Sequence, residues 1–208
     1  VIATGSSLLV IDDNSPDGTG IILDELKSKN SGLEIIHRPG KLGLGTAYIC
    51  GFKWALAHEF DFIFTMDADF SHDPAYIPAF RRCLDSSDLI IGSRYISGGG
   101  VRDWPILRRF ISRFGNFYAK NILGFHVRDC TAGFMGYKKK VLQTINIEEV
   151  RSEGYGFLIE MKYKAFKAGF NIQEYPIIFI DRKLGKSKIS KNIIFEAIFL
   201  VWKLRVGL

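Results

Sequence analysis

The chain has 208 residues, 47% of them hydrophobic, which is enough to bury the core of one α/β domain rather than two independent domains. Its 28 Lys and Arg residues exceed its 22 Asp and Glu residues, and the formal net charge of +6 favours an anionic partner: a phosphate, an acidic lipid headgroup or nucleic acid. The three cysteines form no C-x-x-C pair and lie near no histidine at metal-ligand spacing, so they argue against a zinc site and indicate free thiols in a reducing compartment.

Short apolar segments alternate with helical patterns along most of the chain. Segments rich in β-branched and aromatic residues predict strands at 8–11, 33–37, 60–66, 88–91 and 172–180. Helical patterns lie between them, at 20–29, 46–58 and 74–84. This alternation predicts βαβ units and an α/β fold with a mostly parallel central sheet flanked by helices.

The two ends of the chain carry expectations of their own. Residues 1–7 run almost directly into the first strand, so we expect residues 1–188 to form one domain that lacks an opening βα unit. Residues 189–208 mix apolar residues with Lys and Arg, a pattern typical of an amphipathic helix lying in a membrane interface. The alternative is a helix packed on the domain's own core. We expect no secretory signal, and the apolar stretch 193–202 is too short to cross a bilayer.

The clearest functional pattern is a pair of acids at the end of the strand predicted at 60–66. Asp67 and Asp69 follow this apolar segment directly, where the ligand sites of open α/β sheets lie. Side chains two residues apart share a face of an extended chain, so the carboxylates can converge, and a hard cation such as Mg²⁺ or Mn²⁺ would relieve their repulsion. The alternative is a pair of exposed turn or helix-cap acids before Pro74.

A second acidic segment, residues 12–19, follows the first predicted strand. It contains Asp13 in a turn sequence with Asn, Ser, Pro and Gly. A carboxylate fixed by such a turn can accept a hydrogen bond from a nucleotide base. A turn and helix cap without a ligand is the alternative.

A helix with two distinct faces is predicted at 105–122. Its apolar face carries Leu107, Phe110, Ile111, Phe114 and Tyr118. Its polar face carries Arg108, Arg109, Ser112, Arg113, Asn116 and Lys120. Arg108 and Ser112 are one turn apart and can present a guanidinium and a hydroxyl to one phosphate. A solvated basic face is the alternative.

Several motifs agree in order and spacing over nearly the whole chain. They are 11–19 (IDDNSPDGT), 41–48 (KLGLGTAY), 66–72 (MDADFSH), 92–95 (GSRY), 181–182 (DR) and 185–188 (GKSK). Together they resemble the family 2 glycosyltransferases and, among them, the dolichyl-phosphate (polyprenyl-phosphate) mannose synthases. The resemblance implies a Rossmann-like fold of the GT-A type, which binds a nucleotide sugar.

The resemblance also implies a donor and metal site. The expected donor contacts include Ile11, Asp13, Asp67 and Ala68, the first two of them with guanosine. Asp69 would be the chief ligand of Mg²⁺ or Mn²⁺, with Asp67 and Ser71 as further ligands. Asp69 and Arg94 would be the catalytic residues.

The cations complete the carried-over site. Arg94, Arg182 and Lys188 would bind the diphosphate or the transferring sugar, the last two from a Gly- and Ser-containing segment that is typical of a mobile loop. The acceptor phosphate would lie on Arg94, Arg108 and Ser112, in agreement with the pattern of the helix at 105–122.

The implied reaction transfers mannose from GDP-mannose to a polyprenyl (dolichyl-type) monophosphate with inversion, and a metal ion stabilises the departing GDP. The acceptor phosphate is ionised near neutral pH and needs no strong base, so Asp129 is expected at most to position it. The expected partners are GDP-mannose, the polyprenyl phosphate lipid, a membrane surface and a membrane-anchoring subunit, without nucleic acid. The expected location is peripheral, on the cytoplasmic face of a membrane.

Three alternatives stay open at this point. Another polyprenyl-phosphate glycosyltransferase could use a UDP-sugar, because an aspartate acceptor serves uracil as well as guanine. A haloacid-dehalogenase-like phosphatase also has a D-x-D after a strand, but its motif lies near the start of the chain. An inactive basic binding module is the third alternative.

Overall fold

The computed structural model describes residues 1–150, 152–181 and 191–207, with the backbone alone for 191–198. Eight strands and seven α-helices lie in this part of the chain. The strands are β1 Leu8–Asp12, β2 Leu33–His37, β3 Phe62–Thr65, β4 Leu89–Ser93, β5 Gly100–Arg102, β6 Met135–Lys138, β7 Ile172–Pro176 and β8 Ile178–Ile180. The helices are α1 Thr19–Lys29, α2 Leu44–Ala57, α3 Ile77–Cys83, α4 Ile106–Leu123, α5 Lys139–Thr144, α6 Gly154–Lys167 and α7 Lys191–Val206.

The strands form three sheets. The central sheet has the order β3-β6-β4-β7, and two-stranded parallel sheets pair β1 with β2 and β5 with β8. Strand β6 runs antiparallel to both of its neighbours, whereas β4 and β7 are parallel. The predicted α/β class is therefore confirmed, and the central sheet is mixed rather than mostly parallel.

Strand β6 escaped prediction because it is short and contains a glycine. It pairs Gly136 with Phe64 of β3 on one side and with Ile90 of β4 on the other. A Cβ at Gly136 would lie 2.7 Å from the Phe64 ring and 2.8 Å from the Ile90 side chain. Only glycine lets β6 fit between these two bulky neighbours.

The single strand predicted at 172–180 is two strands that belong to different sheets. Pro176 is the last residue of β7 and has no backbone N–H to continue a ladder. The next residue, Ile177, is buried and donates its N–H to the carbonyl of Ser93 at 3.1 Å. The chain then leaves β4 and pairs as β8 with β5.

Helices cover the central sheet and build one main core. Every residue of β4 is buried, and nine of the fourteen residues of α6 are buried as well. Helix α6 packs on α2, and the C-terminal helix α7 packs on α4 and α6 with Val201 buried. Helix α7 lies within the segment 189–208, and its contacts with α4 and α6 are those of a helix packed on the domain.

Three strand ends position the polar residues considered next. Asp13 directly follows β1, Asp67 lies two residues after β3, and Arg94 directly follows β4. Carboxyl ends of strands in open α/β sheets are where ligands bind.

Candidate active site

The acids after β3 sit in a left-handed turn. Phe70, between Asp69 and Ser71, has φ of 63° and is 95% exposed. Asp69 Oδ1 accepts hydrogen bonds from the Ser71 backbone N–H at 3.1 Å and from Ser71 Oγ at 2.5 Å. A bulky residue with positive φ is uncommon, and such conformations cluster at functional sites. Here the turn brings a carboxylate and a hydroxyl together.

His72 supports the first acid of the pair. Its Nδ1 accepts a hydrogen bond from the backbone N–H of Asp67 at 3.0 Å, so that nitrogen carries no proton. Burial lowers the pKa of His72, against the opposing effect of the Asp67 charge. The 3.8 Å contact between Nδ1 and Asp67 Oδ2 is therefore not an ion pair near neutral pH. The neutral His72 ring therefore supports the backbone of the turn. The Asp67 side chain remains 44% exposed.

The residues of this turn fit a divalent cation that arrives with a phosphate ligand. Asp67, Asp69 and Ser71 supply hard oxygen donors, which Mg²⁺ and Mn²⁺ prefer. No cluster of three or more His, Cys, Asp or Glu suited to a metal occurs among the described residues. One or two carboxylates completed by substrate phosphates and water is the usual protein environment of Mg²⁺. The donor set therefore suits a metal shared with a diphosphate.

Asp13, at the end of β1, is held by Arg38, at the end of β2. Arg38 Nε donates to Asp13 Oδ1 at 2.6 Å, and Nη2 lies 2.5 Å from the same oxygen. The buried guanidinium also donates to Thr46 Oγ1 at 2.7 Å and to the Gly43 carbonyl at 3.3 Å. The Asp13 side chain is still 28% exposed. The carboxylate is thus fixed in place and open to solvent.

The role of Arg38 was missed in the sequence. The signal was available, because β1 and β2 pair in parallel with Asp12 opposite His37. The residues that directly follow two paired parallel strands lie side by side. Here they are Asp13 and Arg38, whose opposite charges attract.

The other two expected donor residues have different surroundings. Ala68 is exposed between the two acids. Ile11 lies in β1, and its Cδ1 is 3.0 Å from the position of a Cβ built on Gly51 of α2. The Ile11 side chain therefore packs against α2, two residues before Asp13.

Arg94 forms a fully buried ion pair with Asp129. Its Nε and backbone N–H donate to Asp129 Oδ2 at 2.8 and 2.9 Å, and its Nη2 donates to Oδ1 at 2.7 Å. Burial by itself would raise the pKa of Asp129, but the Arg94 charge and hydrogen bonds outweigh it and lower that pKa. Asp129 therefore fixes the guanidinium of Arg94 in one orientation.

A second layer fixes the segment that carries Asp129. Glu174 accepts the backbone N–H groups of Arg128 and Asp129, both at 2.9 Å. The buried Lys162 ammonium donates to the carbonyls of Cys130 and Ala132 at 3.0 and 2.7 Å. Burial lowers the pKa of Lys162 to about 8, against the opposing effect of Asp129. These long-range contacts carry no signal in the local sequence.

Helix α4 turns its apolar face outward. Leu107, Phe110 and Phe114 of the predicted face are 69–71% exposed and Ile111 is 43% exposed, whereas Tyr118 packs against the core. Ile106 and Phe117 are exposed as well, at 72% and 65%. Asn116, on the polar face, is buried and donates to Thr131 Oγ1 at 3.3 Å. The predicted polar face is therefore divided: Arg108, Ser112 and Asn116 lie toward the protein, whereas Arg109 and Arg113 are exposed.

This orientation brings Arg108 and Ser112 toward Arg94. Arg108 Cζ lies 4.0 Å from the centre of the buried Trp104 ring, and Arg94 Cζ lies 5.4 Å from it. Ser112 Oγ is 2.6 Å from the hydroxyl of Tyr95, the residue after Arg94. The three predicted acceptor residues therefore gather around two aromatic rings that the sequence analysis did not single out.

Two buried N–H donors at this place have no acceptor among the described residues: Trp104 Nε1 and Arg108 Nε. Arg108 Nη1 is engaged, since it donates to Asp181 Oδ2 at 2.7 Å. Unsatisfied buried donors are rare in proteins and cost about 1–3 kcal/mol each. Their position beside two arginines fits an anionic ligand. Of the remaining expected site residues, Arg182 and Lys188 lie outside the described residues.

Comparison with known proteins identifies the family. Residues 6–145 match the family described as Glycosyl transferase family 2. The chain belongs to glycosyl transferase family 2. It is a glycosyltransferase, which confirms the resemblance drawn from the motifs.

Two relatives of this glycosyltransferase cover most of its length. The undecaprenyl-phosphate mannosyltransferase of Micrococcus luteus is 41% identical over 193 residues, which are 93% of this chain and 79% of that protein. The polyprenol monophosphomannose synthase of Mycolicibacterium smegmatis is 43% identical over 202 residues, 95% of this chain and 76% of that protein.

Solved structures of glucosyl-3-phosphoglycerate synthase from Mycobacterium tuberculosis share the fold. The complex with Mg²⁺ and UDP has a TM-score of 0.63 at 17% identity, over 97% of this chain and 68% of that one. The complex with Mn²⁺, UDP-glucose and phosphoglyceric acid has a TM-score of 0.59, over 97% and 69%. The glycosyltransferase thus has the expected GT-A type of fold.

Proposed function

We propose that this glycosyltransferase moves mannose from GDP-mannose to a polyprenyl monophosphate, with inversion and with a bound Mg²⁺ or Mn²⁺. The observation that carries the proposal is that two halves of one site adjoin each other. The acidic or donor half contains Asp13, Asp67, Asp69 and Ser71, and the basic or acceptor half contains Arg94, Arg108 and Ser112. The His72 ring, which supports Asp67, lies 5.3 Å from the Phe179 ring, and Arg94 Cζ lies 5.5 Å from the centre of that ring. A site with one half for a metal diphosphate and one for a phosphate acceptor suits this reaction.

The donor half would hold the leaving group. Asp67, Asp69 and Ser71 would hold the metal, which stabilises the negative charge that develops on the departing diphosphate. Asp13, fixed by Arg38, would accept a hydrogen bond from the guanine base. The same carboxylate could serve uracil, so the choice of GDP rests on the motif resemblance.

The acceptor half would hold the attacking phosphate. The names of both relatives refer to polyprenyl or undecaprenyl phosphate and to mannose, which supports this choice of acceptor and sugar. Arg94, Arg108 and Ser112 would orient the phosphate, with Trp104 Nε1 as one more donor. The phosphate is already ionised, so the residues need only orient it for in-line attack.

The acceptor is a lipid, and the outward apolar face of α4 supports docking on a membrane. Phe199, Trp202 and Val206 of the neighbouring α7 are also 51–73% exposed. Aromatic and aliphatic side chains beside Lys and Arg are typical of helices that lie in a membrane interface. No described helix is both long and apolar enough to cross a bilayer. We therefore propose peripheral binding to a cytoplasmic membrane face, where a membrane-anchoring subunit could add to the attachment.

A thermal-shift panel tests donor and metal together. GDP-mannose, UDP-glucose and buffer alone would each be measured with and without Mn²⁺. We expect the largest rise in Tm with GDP-mannose and Mn²⁺ together, because bound ligand stabilises the folded state. A larger rise with UDP-glucose would replace the donor with a UDP-sugar. An equal rise in Tm with GDP-mannose in the absence of Mn²⁺ would contradict the metal dependence of donor binding.

A further inference from the structure

A basic cavity lies beside the acceptor half and shares only Arg94 with it. Its volume is about 340 Å³, much larger than one water molecule occupies. Four cationic side chains and two aromatic rings account for most of its lining: Arg94, Arg113, Lys120, Arg128, Tyr95 and Phe117. Within the part of the chain that the structure describes, no carboxylate lines it.

The fold assembles this cavity from separate segments. Arg113, Phe117 and Lys120 are three and four residues apart on one side of α4, and Arg128 follows the end of that helix. Arg94 enters from the end of β4. Arg108 and Ser112, the other acceptor residues, do not line the cavity. The cavity is therefore adjacent to the acceptor half and shares only Arg94 with it.

Apart from Arg94, the cavity cations differ in their partners from the arginines of the acceptor half, and Arg113 and Arg128 are exposed. Arg94 is neutralised by Asp129, and Arg108 is paired with Asp181. Within the described residues, no ion pair with a carboxylate is found for Arg113, Lys120 or Arg128. Three like charges around one concave space repel one another, and an anion placed between them would remove that repulsion.

The surroundings of the cavity indicate where the anion comes from. Phe117 lines the cavity and is 65% exposed, on the same outward side of α4 as Phe110 and Phe114. A ligand held here would have its charged part against the cations and its apolar part beside the exposed aromatic side chains. That is the chemistry of a phospholipid at a bilayer surface.

We propose that this cavity binds the phosphate headgroup of an anionic phospholipid, as a site separate from that of the polyprenyl phosphate. The inference rests on the membrane docking proposed above and not on the sugar transfer. The bound headgroup would orient α4 on the membrane and so keep the acceptor half at the lipid surface.

The test compares the binding of the full chain to vesicles of phosphatidylglycerol and of phosphatidylcholine. At about 1 M salt the screening length is about 3 Å, so diffuse attraction is suppressed and contact within a cavity persists. We expect Arg113→Gln and Lys120→Gln each to reduce the preference for the anionic vesicles about tenfold, the effect of one charge-assisted hydrogen bond. Arg109→Gln is the matched control, since Arg109 is exposed on α4 one turn from Arg113 and outside the cavity.

The possible outcomes separate this proposal from the proposed function. An equal effect of Arg109→Gln, or no preference for anionic vesicles in the unmodified chain, would overturn the headgroup site. If Arg113→Gln and Lys120→Gln raised the KM for polyprenyl phosphate in detergent but left the vesicle preference unchanged, the cavity would belong to the acceptor site instead. Glycerol phosphate that raises Tm equally in the unmodified chain and the cavity variants would also overturn it. Mannosyl transfer in detergent is measured separately, so its failure would leave the vesicle result intact.

Discussion

The carboxylates after β1 and β3 remain partly exposed, whereas the arginine after β4 is buried in an ion pair. The Asp67 side chain is 44% exposed and that of Asp13 is 28% exposed, while Arg94 is 8% exposed and Asp129 is 0% exposed. Both halves hold a charged side chain in place with an ion pair, but Arg38 holds Asp13 near the surface, whereas Asp129 holds Arg94 in the interior.

The difference follows from what each half would bind. A metal ion brings its own positive charge. Before it binds, partly exposed carboxylates are solvated by water, so they cost little free energy. A guanidinium that is buried before the acceptor phosphate arrives would cost several kcal/mol if it had no partner in the protein. Asp129 removes that cost and leaves the remaining N–H groups of Arg94 in a fixed orientation. Substitutions in the basic half should therefore mainly lower stability, and substitutions in the acidic half should mainly weaken ligand binding.

The largest effect is expected from Asp129→Ala. Removing Asp129 leaves the buried Arg94 charge without its partner, which should lower the free energy of unfolding by about 3–5 kcal/mol. Urea denaturation measures this change. Asp85→Ala is the control, because it breaks the exposed ion pair with Arg81, and exposed pairs contribute about 0–1 kcal/mol. Equal losses in both variants would contradict the structural role of Asp129.

The next effect is expected in the acidic half, from Asp69→Asn. The free energy of unfolding should change little, because Asp69 is not in the core, but Mn²⁺-dependent affinity for GDP-mannose should fall roughly 100-fold or more. Titration calorimetry with and without Mn²⁺ measures it. Asp61→Asn, at the opposite end of β3, is the control. If Asp69→Asn bound the donor and metal as tightly as the control, the metal assignment would be wrong.

The sequence predicted the positions of Asp67 and Asp69 in the fold better than the surroundings of Arg94, for a physical reason. Asp67 and Asp69 directly follow an apolar strand, so local order along the chain is enough to place them. The partnership of Arg94 with Asp129 spans 35 residues and depends on how β4 and the segment after α4 meet. Periodicity also predicted an amphipathic α4 but could not tell which residues face the protein, because that depends on the elements packed against the helix: Tyr118 packs on the core, whereas Arg109 is exposed.

The same limit applies to the strands and rings. Strand β6 was missed because a four-residue strand with a glycine has almost no local signal. Trp104 was missed because a lone tryptophan near a predicted helix gives no indication that two arginines will lie against its ring. Residues that follow predicted strands carry a local signal in the sequence, whereas partnerships that depend on tertiary contacts carry none.

A smaller effect is expected from Arg108→Ala in the basic half. Arg108 is partly exposed and paired with Asp181, so its loss should cost little stability. The apparent KM for polyprenyl phosphate should rise about tenfold through the loss of one charge-assisted hydrogen bond, with GDP-mannose affinity nearly unchanged. Steady-state kinetics in detergent measures both. Arg109→Ala should change neither constant. Loss of donor affinity in Arg108→Ala would place this helix outside the acceptor half.

The smallest effect is expected at His37, beside the acidic half, where charge should respond to pH. Hydrogen bonds to Asp24 and then to Asp12 raise the pKa of His37 above 6.5. A raised folded-state pKa stabilises the fold fully below about pH 6.5, and that contribution is lost as pH rises through the folded-state pKa. Burial lowers the pKa of His72, so its effect on stability falls below pH 6.5 and has the opposite sign.

Because the His37 side chain is 43% exposed, its contribution to the change of stability with pH should be small. The unfolding midpoint in urea should therefore fall slightly between about pH 6.5 and about pH 8 in the unmodified chain and should not do so in His37→Gln. Parallel pH profiles for the two proteins would show that these hydrogen bonds contribute nothing to stability.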